Sequence, residues 1–204
     1  MIVIIDYGMG NLGSLKNIIK KIGHQAIVSN NPKEIQNASK LILPGVGHFA
    51  EAMSNLKKLN LIELLNQKVL IEKTPILGIC LGMQLMTTFS EEGNTEGLKW
   101  IKGKTVKFNF GDNNTVKIPH MGWNEINIAK NHLLNTNFEQ LSRFYFVHSY
   151  YVTCDDKKDV LHTTHYHSEF TSAFANENII GVQYHPEKSH VFGIQLMENF
   201  IELC

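Results

Sequence analysis

The sequence is poor in cysteine. Across 204 residues it carries three, Cys80, Cys154 and Cys204. An odd and widely spaced set excludes a disulfide framework and fits reduced thiols in a cytosol. Neither charge is in excess, with 19 Lys plus Arg against 19 Asp plus Glu. A chain without a broad basic field is not built around nucleic acid, because phosphate binding needs a clustered positive face. No apolar run approaches the length of a membrane span, and Met1 leads straight into a strand-like segment with no secretory leader. Repeats, linkers and low-complexity tracts are absent as well. What remains is 43% hydrophobic and 19% charged, the balance of a folded chain. It is expected to form one domain, residues 1–204, with a single substantial core.

Thr74 to Leu85 reads T-P-I-L-G-I-C-L-G-M-Q-L, and the rest of the chain is organised around it. A short apolar run behind Pro75 suits a fully buried strand. Gly78, Cys80 and Gly82 then give G-x-C-x-G before residues that can begin a helix. With serine, this spacing is the nucleophile elbow, a sharp strand-to-helix turn that exposes the central side chain. The start of a following helix would favour thiolate over thiol. A buried core cysteine fits this stretch alone equally well.

Around it, elements alternate. Met1–Asp6, Gln25–Ser29 and Lys40–Leu43 read as strands. Leu12, Leu15, Ile18, Ile19 and Ile22 recur at helical spacing up to Gly23, and residues 50–70 are helical with a break near Asn60. Such alternation predicts an α/β fold with a parallel sheet covered on both faces. Beyond Gly97, strands dominate: 105–110, 122–128, 144–152, 160–164, 171–175 and 179–183, closed by a helix carrying Phe192, Leu196, Phe200 and Leu203. Pairing of mixed direction is expected there.

Other motifs have two readings each. Gly8, Gly10 and Gly13 form G-x-G-x-x-G after a strand, the dinucleotide fingerprint. Asn30 and Asn31 stand where its confirming acid belongs, so a tight first turn explains the glycines without a ligand. In Gly181–Glu187 (G-V-Q-Y-H-P-E) a strand runs into His185, Pro186 and Glu187. If the backbone stays extended, residues two apart share a side, so Glu187 can orient His185 toward a nucleophile. Pro44-Gly45-Val46-Gly47 ends a predicted parallel strand, where a backbone N–H can face an oxyanion or simply turn. His148-Ser149-Tyr150 emerges at a strand end. Pro119-His120-Met121-Gly122-Trp123-Asn124 is either core or an exposed patch awaiting a partner. His162, His165 and His167 lack a nearby Cys or Asp to complete a metal set and read as surface histidines.

Together, G-I-C-L-G-M-Q, P-G-V-G and Y-H-P-E-K-S resemble the class I (triad) glutamine amidotransferases. D-Y-G-M-G-N-L, P-H-M-G-W-N and F-V-H-S-Y are most similar to the glutaminase subunits of imidazole glycerol phosphate synthase, and the likeness runs from Met1 to the final helix. The resemblance implies a three-layer, flavodoxin-like α/β fold with a mixed, mainly parallel sheet flanked by helices. It implies that Cys80 attacks the glutamine side-chain amide, that His185 shuttles the proton and that Glu187 orients His185. The oxyanion would be held by the N–H of Leu81 and by that of Val46 after a peptide flip. Gly47, Gln84, Glu92, His148, Ser149 and Tyr150 match positions that hold glutamine. No cofactor and no metal is implied. The implied partner is a (β/α)8-barrel synthase or cyclase subunit, with Met121, Trp123 and Asn124 as the contact candidates. A one-domain glutaminase has no acceptor site of its own, and ammonia must be delivered dry to stay nucleophilic, which is a separate reason to expect a partner. Two other readings stay open. One is a paralogous glutaminase feeding a surface-polysaccharide sugar amidotransferase. The other is a nucleotide-binding or regulatory module using the first glycine-rich turn, for which Cys80 would be dispensable.

Overall fold

The computed structural model describes residues 1–111, 116–138 and 142–204. The segment 107–116, to which the sequence attaches no role, falls outside that description at 112–115. In chain order the first half holds β1 (Ile2–Ile5), α1 (Leu12–Lys21), β2 (Ala26–Ser29), α2 (Pro32–Gln36), β3 (Lys40–Leu43), α3 (Phe49–Lys58), α4 (Leu61–Asn66), β4 (Ile76–Ile79) and α5 (Leu81–Leu85). A π-helical turn, Gln67–Ile71, extends α4. The helical stretch breaks at Asn60, which takes φ 54°, the left-handed conformation that Asn tolerates better than most residues.

The second half holds β5 (Phe89–Ser90), β6 (Thr95–Glu96), β7 (Gly103–Lys107), β8 (His120–Glu125), β9 (Asn127–Ile128), β10 (Arg143–His148), β11 (Tyr150–Cys154), β12 (Val160–Tyr166), β13 (Ser168–Asn176), β14 (Ile179–Val182) and α6 (His190–Leu203). The main sheet runs β2-β1-β3-β4-β14-β13-β11-β7-β5-β6, with β12 pairing β13 and β9. From β2 to β14 the neighbours are parallel. Beyond β14 the pairing turns antiparallel through β13, β11 and β7. This is the mixed α/β sheet flanked by helices that the motifs predict.

Three layers follow from the alternation within β1. Ile2 and Ile4 face a cluster with Leu15 and Ile19 of α1 and Leu196 and Phe200 of α6. Val3 and Ile5 face the opposite cluster with Ile35, Phe49, Leu56, Leu61 and Leu65 from α2, α3 and α4. Each such side chain contributes roughly 1.5–3 kcal/mol by leaving water.

Two expectations change. Residues 144–152 do not form one strand: the chain leaves a two-stranded sheet, β10 with β8, and joins β11 of the main sheet at Ser149. Likewise 122–128 divides into β8 and β9 around the buried Ile126. Apolar residues resume within two positions of each break, at Tyr150 after His148-Ser149 and at Ile126 and Ile128 after Asn124-Glu125, so each pair of strands reads as one.

Candidate active site

β4 lies between β3 and β14, parallel to both. The chain therefore delivers three segments to one sheet edge: Pro44–Gly47 after β3, Cys80 after β4, and Gln183–His185 after β14. Ligands bind at this edge of a parallel sheet. The Cys80 N–H donates to the Val182 carbonyl at 2.8 Å, and Cys80 then turns into α5 with φ 54° and ψ −109°. That backbone is costly for a side chain bearing Cβ. It is the elbow the G-x-C-x-G spacing calls for.

His185 is fixed by its own backbone. Its N–H donates to the Tyr145 carbonyl at 2.9 Å, and its carbonyl accepts from the Ser189 hydroxyl at 2.6 Å. His185 Nδ1 donates to Glu187 Oε1 at 2.8 Å, with the two side chains 1% and 2% exposed. The carboxylate thereby leaves Nε2 to face the sulfur. Burial acts to lower the imidazole pKa, yet the negative charge and hydrogen bond of Cys80, then Glu187, outweigh it and raise it to about 10. One part of the expectation is corrected. The strand ends at Val182, and Pro186–Lys188 form a 3₁₀ turn instead of extended backbone. Proline's fixed φ suits the first position of such a turn, and the turn brings Glu187 beside His185.

A cavity of about 310 Å³ is lined by Val46, Gly47, Cys80, Leu81, Gln84, Glu92, His148, Ser149 and Tyr150, with Pro119 and Val147. Every oxyanion and glutamine-holding candidate from the sequence is therefore on one wall or another of a single cavity. The Leu81 N–H donates to the Gly45 carbonyl at 3.3 Å. Rotating the Gly45–Val46 peptide would withdraw that oxygen and turn the Val46 N–H inward. Glu92 Oε2 accepts from the Phe49 N–H at the start of α3 at 2.8 Å.

Sequence reasoning gave no role to His120, Gln183 or Tyr7. His120 Nδ1 lies 3.0 Å from His148 Nε2, and His148 Nδ1 lies 2.8 Å from the Tyr150 carbonyl. A carbonyl only accepts, so His148 Nδ1–H donates to it, His120 Nδ1–H donates to His148 Nε2, and His120 Nε2 accepts from Asn124 Nδ2 at 3.2 Å. Burial lowers His148 to about 3 and His120 to about 4, so both rings are neutral. Tyr7 places its buried hydroxyl on the Pro44 carbonyl at 2.5 Å, beneath the P-G-V-G segment. The only signal for these residues is membership of quoted motifs.

The contact candidates divide between two faces of β8. Met121 and Trp123 point outward, 61% and 43% exposed. Trp123 stacks on His190 at 5.5 Å and lies under the Arg143 guanidinium at 5.9 Å. Asn124 lies one residue along the strand and so faces the other way, toward His120 and the His165 carbonyl. It does not share the outward patch.

Two further readings meet the structure. Gly8 and Gly10 of the glycine-rich turn have φ 82° and 100°, and a Cβ on Gly10 would come within 3.0 Å of Pro44. These glycines let the first turn pack on the P-G-V-G segment, and the helix start is occupied by Asn11, whose Oδ1 accepts from the Ser14 N–H. His162 is not a surface histidine. It is fully buried, bonded to the Tyr184 hydroxyl and to Asn135, and lowered to about 3 by burial and, more weakly, by His132. His165 and His167 are exposed. Among the described residues no group of three His, Cys, Asp or Glu could hold a metal ion.

His120, His148 and His162 carry a pH prediction. Unfolded, each titrates near 6.5; folded, each titrates near 3 to 4. Below pH 6.5 the unfolded chain takes up protons that these three folded-state rings refuse, so their contribution to stability is full above 6.5 and is lost as pH drops toward 3, whereas that of His185, raised to about 10, is full below 6.5 and is lost as pH rises toward 10. Urea unfolding at pH 7, 5 and 4 measures this, and His162→Gln should remove roughly a third of the part of the slope that these three rings produce.

Comparison with known proteins agrees with this geometry. The profile of the family "Glutamine amidotransferase class-I" matches residues 3–203. The chain belongs to the class-I glutamine amidotransferase family. It is 61% identical over 202 residues to "Imidazole glycerol phosphate synthase subunit HisH 2" of Methanococcus maripaludis, covering 99% of each chain. It is 46% identical to the Pseudomonas aeruginosa protein of the same name, with 100% of each chain covered. It is also 50% identical to the Sulfurimonas denitrificans "subunit HisH", covering 98% of this chain and 97% of that one. Among solved structures, a glutamine amidotransferase superimposes with TM-score 0.76 at 14% identity over 98% of this chain and 97% of that one. PurLQS from Thermotoga maritima gives 0.71 at 17% over 98% and 96%. Those two show the fold.

Proposed function

We propose that residues 1–204 act as one glutaminase domain, the glutamine-hydrolysing subunit of imidazole glycerol phosphate synthase, with Cys80, His185 and Glu187 as its catalytic triad. The single observation that carries the reading is the His185–Glu187 pair, sealed from solvent and aimed at a cysteine on a strained elbow. Full-length relatives at 41–61% identity bear the name of that synthase subunit, and the surface-polysaccharide alternative gains no support.

In the reaction, the Cys80 thiolate adds to the carboxamide carbon of L-glutamine and the carbonyl π electrons move to oxygen. The oxyanion is held by the Leu81 N–H, released from the Gly45 carbonyl, and by the Val46 N–H after the peptide turns. His185 then gives its proton to the departing nitrogen, the C–N bond breaks, and ammonia and a glutamyl thioester remain. His185 next takes a proton from water, and the thioester is hydrolysed to glutamate. Glu92 at the cavity suits the α-ammonium of a free amino acid. Gly47, Gln84, His148, Ser149 and Tyr150 shape the rest of the enclosure.

Ammonia leaves for a cyclase subunit, a (β/α)8 barrel that docks on the outward face of β8 through Met121 and Trp123 to form a cytoplasmic heterodimer in histidine biosynthesis. Asn124 contributes from behind that face through His120. The resting Leu81–Gly45 hydrogen bond keeps the free subunit slow until the partner loads its own substrate. Co-expression with a cyclase subunit of the same source tests this. Glutamine hydrolysis should be low for the free subunit, and at least tenfold higher in the complex with acceptor substrate bound, in line with ordinary coupling energies. Equal rates in the two states would contradict the partner assignment.

A further inference from the structure

Resting on Cys80 as the glutaminase nucleophile, we propose that Gln183 is a further catalytic residue, whose carboxamide N–H donates to the Cys80 sulfur in an orientation imposed by Gln84.

Gln183 is fully buried just past the end of β14, where its backbone N–H is tied to the Ser172 carbonyl at 2.8 Å. Its Nε2 lies 3.6 Å from Cys80 Sγ. The identity of that atom follows from the neighbours. The Tyr150 carbonyl can only accept, so the Gln84 atom 3.0 Å away is its amide nitrogen. The same nitrogen reaches Gln183 at 3.0 Å, and the atom it meets there is therefore Oε1. The other end of the Gln183 amide, which faces the sulfur, is N–H. His148 Nδ1–H, bonded to the same Tyr150 carbonyl, holds the anchor of the series in place.

A buried amide is costly unless its polar atoms are paired. A methionine or leucine would fill this position without that cost. The amide oxygen is paired with Gln84, and the sulfur is the recorded partner of the nitrogen. The remaining groups facing the sulfur divide clearly. Tyr7 is held neutral by burial, which pushes its pKa well above the ordinary phenol value, with Cys80 acting in the same direction. The Val147 carbonyl, 3.9 Å away, can accept a thiol proton and offers nothing to a thiolate. His185, backed by Glu187, supplies positive charge until it protonates the leaving nitrogen. In the second half of the reaction water adds to the thioester, the C–S bond breaks and its electron pair returns to sulfur. By then His185 has taken the attacking water's proton, and its Nε2–H and the Gln183 N–H are the two donors that face the departing thiolate. Charge-assisted hydrogen bonds are the strong ones.

The test uses the full chain with Gln183→Met, which keeps length and removes the donor, and Gln183→Glu, which keeps the acceptor for Gln84 and sets negative charge against the sulfur. Iodoacetamide alkylation of the Cys80 peptide is followed by mass spectrometry from pH 5 to 10, with Cys154 and Cys204 as internal references. Gln183→Met should alkylate about tenfold more slowly at pH 7, with its rate–pH curve displaced upward, and Gln183→Glu more slowly still. In steady state, Gln183→Met should lower kcat about tenfold with little change in KM, because glutamine itself is not touched. Folded Gln183→Met or Gln183→Glu with wild-type alkylation at every pH would overturn the proposal. A wild-type Cys80 no more reactive than Cys154 would overturn the nucleophile assignment and this inference with it.

Discussion

Cys80→Ala should abolish glutamine hydrolysis with the fold retained, and Cys80→Gly should abolish it while making the chain more stable than Cys80→Ala. Among the described residues Cys80 is the one thiol lining the cavity, and the hydroxyls of Ser149 and Tyr150 there lack the buried His185–Glu187 pair behind them, so loss of the thiol removes the acyl-enzyme route. The stability difference has a separate origin. Cys80 occupies φ 54° and ψ −109°, a region that glycine enters freely and any residue with Cβ enters at a cost. Glycine relieves that strain but adds freedom to the unfolded chain. The net gain over alanine should be about 1 kcal/mol, or a few degrees in Tm for a chain of this size. Thermal unfolding of the two variants decides it. Equal Tm values would mean that the elbow stores no strain.

Gly82→Ala carries the second large effect. A Cβ built on Gly82 would stand 1.8 Å from the Leu43 carbonyl oxygen and 2.7 Å from its carbon. Both are backbone atoms at the end of β3, which is hydrogen-bonded to β1 and β4 on its two sides. Neither partner can yield without breaking the parallel core. The substitution should cost upward of about 3 kcal/mol, as overpacking against a fixed backbone does. Any folded fraction should also lose glutaminase activity, because the displaced segment is Pro44–Gly47. Gly13→Ala is the control. It lies in α1 with nothing within 4 Å of the added atom, and it should stabilise by roughly 0.5–1 kcal/mol. Urea denaturation with a parallel glutaminase assay reads both. A Gly82→Ala protein as stable as wild type would remove the close packing of α5 on β3 from the account.

These two glycines mark what a single sequence reveals and what it hides. β1 and β3 are legible because a strand buried on both faces is a short uninterrupted apolar run, and α1 because its stripe repeats at helical spacing. Cys80 and His185 are legible because an elbow and an H-P-E turn need particular residues at particular spacings. At Ser149 the polar pair His148-Ser149 marks a strand end, but nothing there says that the chain changes sheets, because Tyr150 to Val152 resumes apolar character at once. α2 is five residues long and too short for a period. His162 reads as exposed because its partners, Asn135 and Tyr184, are distant in sequence. Asn124 looks like a neighbour of Trp123 until strand alternation places it behind. The extended H-P-E geometry was a wrong route to a correct pairing: a 3₁₀ turn also brings residues two apart within reach. Gln183 sits inside a quoted motif without a visible role, because its meaning lies in which way an amide is turned. Only Gln84 and the Tyr150 carbonyl fix that.

The most direct measurement is covalent labelling of the intact chain with an electrophilic glutamine analogue, a diazoketone, followed by peptide mass spectrometry. The account predicts modification of Cys80 alone, blocked by L-glutamine and slowed sharply in His185→Ala. Label on Cys154 or Cys204, or labelling of Cys80 indifferent to glutamine and to His185, would contradict it.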